Sequence, residues 1–160
     1  MDARKIVVCA SGNEVWTLQA LHLACTLARD TQATLELIKM VPVQHPGWLN
    51  SDFGYMNFTY SDEERLAAYQ QIAEDYSVLL SICLFQYSDL ADAIGQAVEE
   101  SEAKTAFATL PPYQSTWWRK FQLYRLEHKL KKHGCTVYTL EKSPHSPEWP
   151  AYIQVAPAHR

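Results

Sequence analysis

The chain has 160 residues, 48% hydrophobic and 20% charged, with a formal net charge of −4 at pH 7. That is enough for one domain with a real core, and no apolar run approaches the roughly 18 residues of a membrane-spanning helix. The acidic balance argues against nucleic acid as the main partner. The opening MDARKIVV carries an acid and no apolar signal-type run, so a cytoplasmic protein is expected.

Lys5–Ala10 (KIVVCA) is continuously apolar, as a strand covered on both faces requires. Ser11-Gly12 turns the chain and Asn13 is the expected N-cap of a helix over Glu14–Arg29. Leu18, Leu21, Cys25 and Ala28 give that helix its buried stripe. Thr34–Val41 is the second expected strand, stopped at Pro42. Residues 42–60 then form a long aromatic connection with Trp48, Phe53, Tyr55, Phe58 and Tyr60. Its length favours a lid, an interface or a binding loop. Ser61-x-x-Glu64 reads as a capping box ahead of the second helix. Val78–Tyr87 is the third strand, and Ser88-Asp89 opens a helix with Leu90, Ile94, Ala97 and Val98 inward. Ala106–Leu110 is the fourth strand, closed by Pro111-Pro112. Phe121–His133 is helical with Leu123, Leu126 and Leu130 on one stripe, and Gly134 stops it. Val137, Tyr138 and Leu140 make the fifth strand. Residues 143–160 contain prolines and read as a C-terminal arm that Trp149 and Tyr152 would anchor.

Strands and helices thus alternate strictly over residues 1–142. The expected class is α/β, an open five-stranded parallel sheet with helices on both faces. No Walker loop, hydrolase elbow or histidine ligand spacing occurs, so neither a catalytic residue nor a metal site is expected. The four cysteines, Cys9, Cys25, Cys83 and Cys135, form no C-x-x-C pair and read as small buried hydrophobes.

KIVVCASGN with its following helix, the SDLADAI turn, and HKLKKHGCTVYTLE together resemble the universal stress protein family over about residues 4–141. The related domain of potassium-sensing histidine kinases is about equally similar. The resemblance implies strand order 3-2-1-4-5 and a homodimer through the last strand, with Val137 and Tyr138 at the interface. It also implies a departure. ATP-binding members carry G-x-x-G, nine residues, then G-[S/T] after the fourth strand, because only glycine lets phosphate approach the backbone closely. Here no glycine lies between Ala103 and His133, and Pro111 and Pro112 remove two donors. The acid that members place at the end of the first strand is replaced by Ala10 and Ser11. The expected reading is a non-catalytic regulatory or interaction module with no cofactor, dimeric, and not holding ATP through a glycine loop. A protein partner is the natural extension of that reading.

The alternative is a small-ligand sensor. In such sheets ligands sit at the switch point beyond the strand ends, here between strands one and four. Ser11, Gly12, Asn13, Thr109 and Pro111 would line the crevice, and Ser115, Arg119 and Lys120 would reach an anion. A competing expectation has Trp117 and Trp118 closing that crevice. Trp48, Trp117, Trp118 and Trp149 are also candidate interface residues, because large aromatics at loops and helix starts mark interfaces. The fourth helix carries Arg119, Lys120, Arg125, Lys129, Lys131 and Lys132 against Glu127, a net of +5, leaving −9 elsewhere. An adenylyl-transfer enzyme of the wider superfamily ranks last, since its motifs are missing.

Overall fold

The structure is a computed structural model that describes residues 4–43, 60–111 and 115–140. Its elements are β1 (Lys5–Ala10), α1 (Glu14–Thr31), β2 (Thr34–Pro42), α2 (Tyr60–Asp75), β3 (Leu80–Tyr87), α3 (Leu90–Ser101), β4 (Thr105–Phe107), α4 (Thr116–Lys132) and β5 (Thr136–Tyr138). The strands make one parallel sheet in the order β3-β2-β1-β4-β5. The expected class and order are therefore the observed ones. Trp48, Pro112, Trp149, residues 44–59 of the aromatic connection and the arm lie outside the described residues.

Two rules produce this layout. Parallel crossovers keep one hand, so strands added in one direction put their helices on one face. The path β1-β2-β3 moves one way and β4-β5 returns on the other side. Accordingly α1 and α2 pack on one face, and α3 and α4 on the other. The pleat divides β1 between them. Ile6, Val8 and Ala10 join the α1/α2 core, while Val7 and Cys9 join the α3/α4 core. Val7, Val8 and Cys9 have no exposed surface at all.

The helices start where short polar side chains can cap them. Asn13 Oδ1 accepts from Trp16 N at 3.0 Å, and the Thr17 hydroxyl donates to Asn13 O at 2.8 Å. Asp89 caps α3 through Asp92 N at 3.2 Å, and Ser115 caps α4 through Trp118 N at 3.2 Å. That last cap moves the start of α4 from the expected Phe121 to Thr116, so both tryptophans sit in its first turn. Helix α2 begins at Tyr60, one residue before the expected capping box.

Four strands differ from expectation at their ends; β2 runs on through Pro42, which pairs with Tyr87. β3 starts at Leu80 because Ser77, at φ 60°, and Val78 close the end of α2, with Val78 N donating to Ala73 O at 2.9 Å. β4 ends at Phe107 because β1 pairs with it only from Ile6 to Val8. Ala108, Thr109 and Leu110 stay buried without being strand. β5 ends at Tyr138, and Leu140 turns away at φ 59°.

Leu21 is fully buried between α1 and the sheet, and Val15 is 69% exposed on the same helix. Leu21→Ala is expected to cost about 3 kcal/mol, and Val15→Ala under about 0.5 kcal/mol. Urea unfolding followed by circular dichroism measures both.

Candidate functional site

The strand order reverses direction between β1 and β4, and their carboxyl ends are where a sheet of this order places a ligand crevice. On the β1 side, Ser11 is half-buried, while Gly12 and Asn13 are exposed. Gly12 has φ 110°, a conformation that other residues adopt only with strain. A Cβ built there would meet nothing within 4 Å. The glycine is needed for the turn, and the space above it is open among the described residues. Asn13 is committed to capping, so its side-chain oxygen already has a donor.

On the β4 side the chain runs through buried Thr109 and Leu110 to exposed Pro111. Arg119, one turn into α4, reaches back across this segment. Its Nε donates to Leu110 O at 3.0 Å, and its Nη2 lies 3.2 Å from the Thr109 hydroxyl. Two bonds from one planar group fix the segment to the helix that follows it. Of the residues expected to reach an anion, then, Arg119 holds the wall of the crevice and Ser115 holds the helix cap. Lys120 is exposed on α4. The structure brings Thr109 and Arg119 together directly.

Trp117 and Trp118 do not close the crevice. Trp117 is 70% and Trp118 40% exposed; Trp117 stacks on Phe121 and Trp118 lies tilted against the same ring. The reason is helical phase. Leu123, Leu126 and Leu130 occupy the inward face, and residue 117 falls on the opposite side.

The tryptophan that does close this end of the sheet is Trp16, which sequence reasoning passed over. Its ring is buried, and Nε1 donates to Thr139 O at 2.8 Å, bridging the start of α1 to the exit of β5. The signal for it was weak: an indole one turn after an N-cap reads as an ordinary helix residue. Beside it, Phe107 and Tyr138 stack across the β4–β5 register at 5.3 Å. On the other flank of Gly12, the Tyr69 hydroxyl donates to Glu14 Oε1. A cavity of about 70 Å³ there touches Gly12, Lys39, Arg65 and Tyr69. Pockets for drug-sized ligands start at about 300 Å³.

The cysteines are poor nucleophiles. Cys9, Cys25 and Cys135 are buried as expected, whereas Cys83 is exposed on the edge strand β3. Burial pushes Cys9 up to about 12, with the nearby Cys135, Cys83 and Glu36 adding to it. Burial alone takes Cys25 to about 11. Loss of water around the sulfur, then its contact with Glu36 Oε2 at 3.3 Å, takes Cys83 to about 11. Among the described residues no three His, Cys, Asp or Glu side chains gather as a metal site. No helix among them is long and apolar enough to cross a membrane.

Two outcomes follow. Trp16→Phe removes the bond to Thr139 and is expected to lose about 1–2 kcal/mol, read as a lower urea midpoint. Cys83 should react with a disulfide reagent at neutral pH more than about tenfold slower than free cysteine, the rate climbing up to about pH 11 as the thiolate forms. The three buried thiols should react only on unfolding.

No protein-family model matches the chain, and no curated protein matches it. Solved structures do. A universal stress protein family member from Burkholderia pseudomallei shares 21% identity over 83% of this chain and 92% of its own, with a TM-score of 0.56. A universal stress protein in complex with cAMP aligns over 89% of this chain and 100% of its own at 13% identity, TM-score 0.57. The universal stress protein from Archaeoglobus fulgidus in complex with dAMP aligns over 86% and 97% at 16% identity, TM-score 0.55. The expected resemblance is thus met in three dimensions: the chain has the α/β fold of universal stress proteins.

Proposed function

We propose that this chain is a non-catalytic, universal-stress-protein-like regulatory and interaction module. It works as a cytoplasmic homodimer and does not hold ATP through a glycine loop. The observation that carries this is the connection from β4 to α4. Residues 108–115 are fewer than the family's glycine motif itself occupies, and they contain no glycine. A phosphate cradle is a run of free backbone N–H groups that ligand atoms approach closely. Here one proline in the described part, Pro111, has no N–H, the Thr109–Leu110 segment is buried, and Arg119 is bonded across it.

The dimer reading is supported by β5. It is a three-residue edge strand, and its Tyr138 is exposed. Thr136 N donates to Lys104 O, and Ala108 N donates to Tyr138 O. By the alternation of a parallel ladder, the Val137 N–H therefore points away from β4, ready for a second strand.

The second reading is a sensor of a nucleotide or other anion in the crevice, with Ser11, Gly12, Thr109, Arg119 and Lys120 around the ligand. The open space above Gly12 favours it, as do the cAMP and dAMP in two structures of the same fold.

Calorimetry separates the two. No heat with ATP, AMP or cAMP at tens of micromolar is expected, and micromolar binding of any of them installs the sensor reading instead. In solution the chain should have the mass of a dimer, and Val137→Pro should convert it to a monomer while Val137→Ala does not. A monomeric parent chain ends the dimer proposal.

A further inference from the structure

Among the described residues, nothing packs on the outer face of α4. Trp117, Phe121, Tyr124 and His128 follow one another there at helical spacing, opposite the buried Leu123, Leu126 and Leu130. Trp117 is 70% exposed, Tyr124 67%, and Trp118 and Phe121 40% each. These rings are mutually ordered. Trp117 and Phe121 are parallel within 5° at 5.8 Å, and Tyr124 and His128 within 13° at 6.0 Å. The Arg125 guanidinium lies 5.8 Å from the centre of the Phe121 ring. Rings already held against each other lose little rotamer freedom when covered, which is what an interface anchor needs.

A groove of about 320 Å³ runs beside the ridge, between α3 and α4. Ala91 and Leu126 form its apolar part, and Arg125 and Lys132 form a cationic wall facing Asp92, beside Lys129, which is paired with Glu99 at 3.7 Å. Close approach of the helices at Gly95 shapes it: a Cβ on Gly95 would lie 3.4 Å from Lys129 Nζ and 3.6 Å from Leu126 Cδ1.

We propose that this ridge and groove dock a short acidic segment of a partner protein. Its carboxylates would lie along the cationic wall and its apolar side chains would cover the rings. The inference rests on the interaction-module reading and adds the chemistry of the partner. Charge selects the occupant. The helix nets +5 while the rest of the chain nets −9. Seventeen residues of α4 reach about 25 Å. A nucleic-acid strand or an anionic bilayer runs past that footprint and meets acidic surface, whereas a short segment stays within it. A second copy seated face to face through α4 would oppose two helices of like charge.

The test uses a fluorescein-labelled peptide of about fifteen residues, with Leu or Phe at every third or fourth position and Glu or Asp between them. Anisotropy should show binding on the order of 10 μM at low salt, weakening about tenfold at high salt. The Trp117→Ala/Phe121→Ala double variant should bind about tenfold more weakly. Arg125→Glu/Lys132→Glu should not bind, and circular dichroism should match the parent for both, since all four residues are exposed. The same peptide with Lys for every acid should not bind. The proposal is overturned if the acidic peptide fails to bind, if the basic peptide binds equally, or if either double variant keeps full affinity. Tighter binding of single-stranded dT15 or of phosphatidylserine vesicles overturns it in favour of that partner. None of these results bears on the ATP and dimer measurements, so the two readings fail separately.

Discussion

Burial of β1 on both faces is the constraint from which the rest follows. A parallel strand inside a sheet exposes neither face to water, so its side chains must be apolar in both directions. Val7, Val8 and Cys9 meet that condition with no exposed surface. Helices must then cover both sides, and crossovers of one hand reach both sides only if the chain reverses its direction across the sheet. The reversal happens beside β1. The crevice at its carboxyl end is thus a consequence of how the core is covered, and any chain with this strand order has one. What differs between such chains is what the crevice is lined with.

In this chain two hydrogen-bonded side chains govern that lining. Arg119 ties Thr109 and Leu110 to the first turn of α4, and Trp16 ties α1 to Thr139. Both contacts bind irregular backbone, which has no ladder to satisfy it. The segment after Phe107 is buried yet not strand, so its carbonyls need partners from side chains. Arg119 supplies one, to Leu110 O, and bonds the Thr109 hydroxyl beside it. An arginine used this way stiffens the region where a phosphate loop must stay open and supple, and its donors are directed at protein oxygens. The same residue that sequence reading nominates as an anion hook therefore serves as a wall.

Periodicity made most of the fold readable, because its signals are local. The apolar run at KIVVCA, the caps Asn13 and Asp89, and the leucines at 123, 126 and 130 each follow from neighbours within one or two turns. Strand ends were misread where the limit is set by a partner far along the chain. Ala108 and Leu110 are as apolar as any strand, but β1 pairs with only three residues of β4. The contacts at the ends of β1 and β4 were not legible. Thr109 and Arg119 are ten residues apart, and Trp16 and Thr139 are 123 apart. No local pattern encodes such pairs. Cys83 illustrates a further limit: its strand is apolar in sequence, but an edge position leaves the sulfur exposed.

The charge distribution links the crevice to the surface. A helix beside a phosphate site gains from cations near the ligand, at its start. In α4 Arg119 and Lys120 lie near the start, with Arg119 bonded to the wall, and Lys129, Lys131 and Lys132 lie in the last turn, where the helix dipole favours them. Its outward aromatic residues, Trp117, Phe121 and Tyr124, are the kind that water exposure disfavours and contact rewards. They lie on a face that packs against no part of the described fold, which is the ground for the docking proposal. Lys129 meanwhile sits 3.7 Å from Glu99 on α3, and His133 Nε2 sits 3.3 Å from the same oxygen. Lys129 and His133 are themselves mostly exposed, but the Glu99 oxygen they share is buried, so these pairs link α3 to the end of α4 beside the groove. The two ends of α4 thus differ in kind: near its start Arg119 is bonded to the segment after β4, and along its outer side the rings and cations lie exposed.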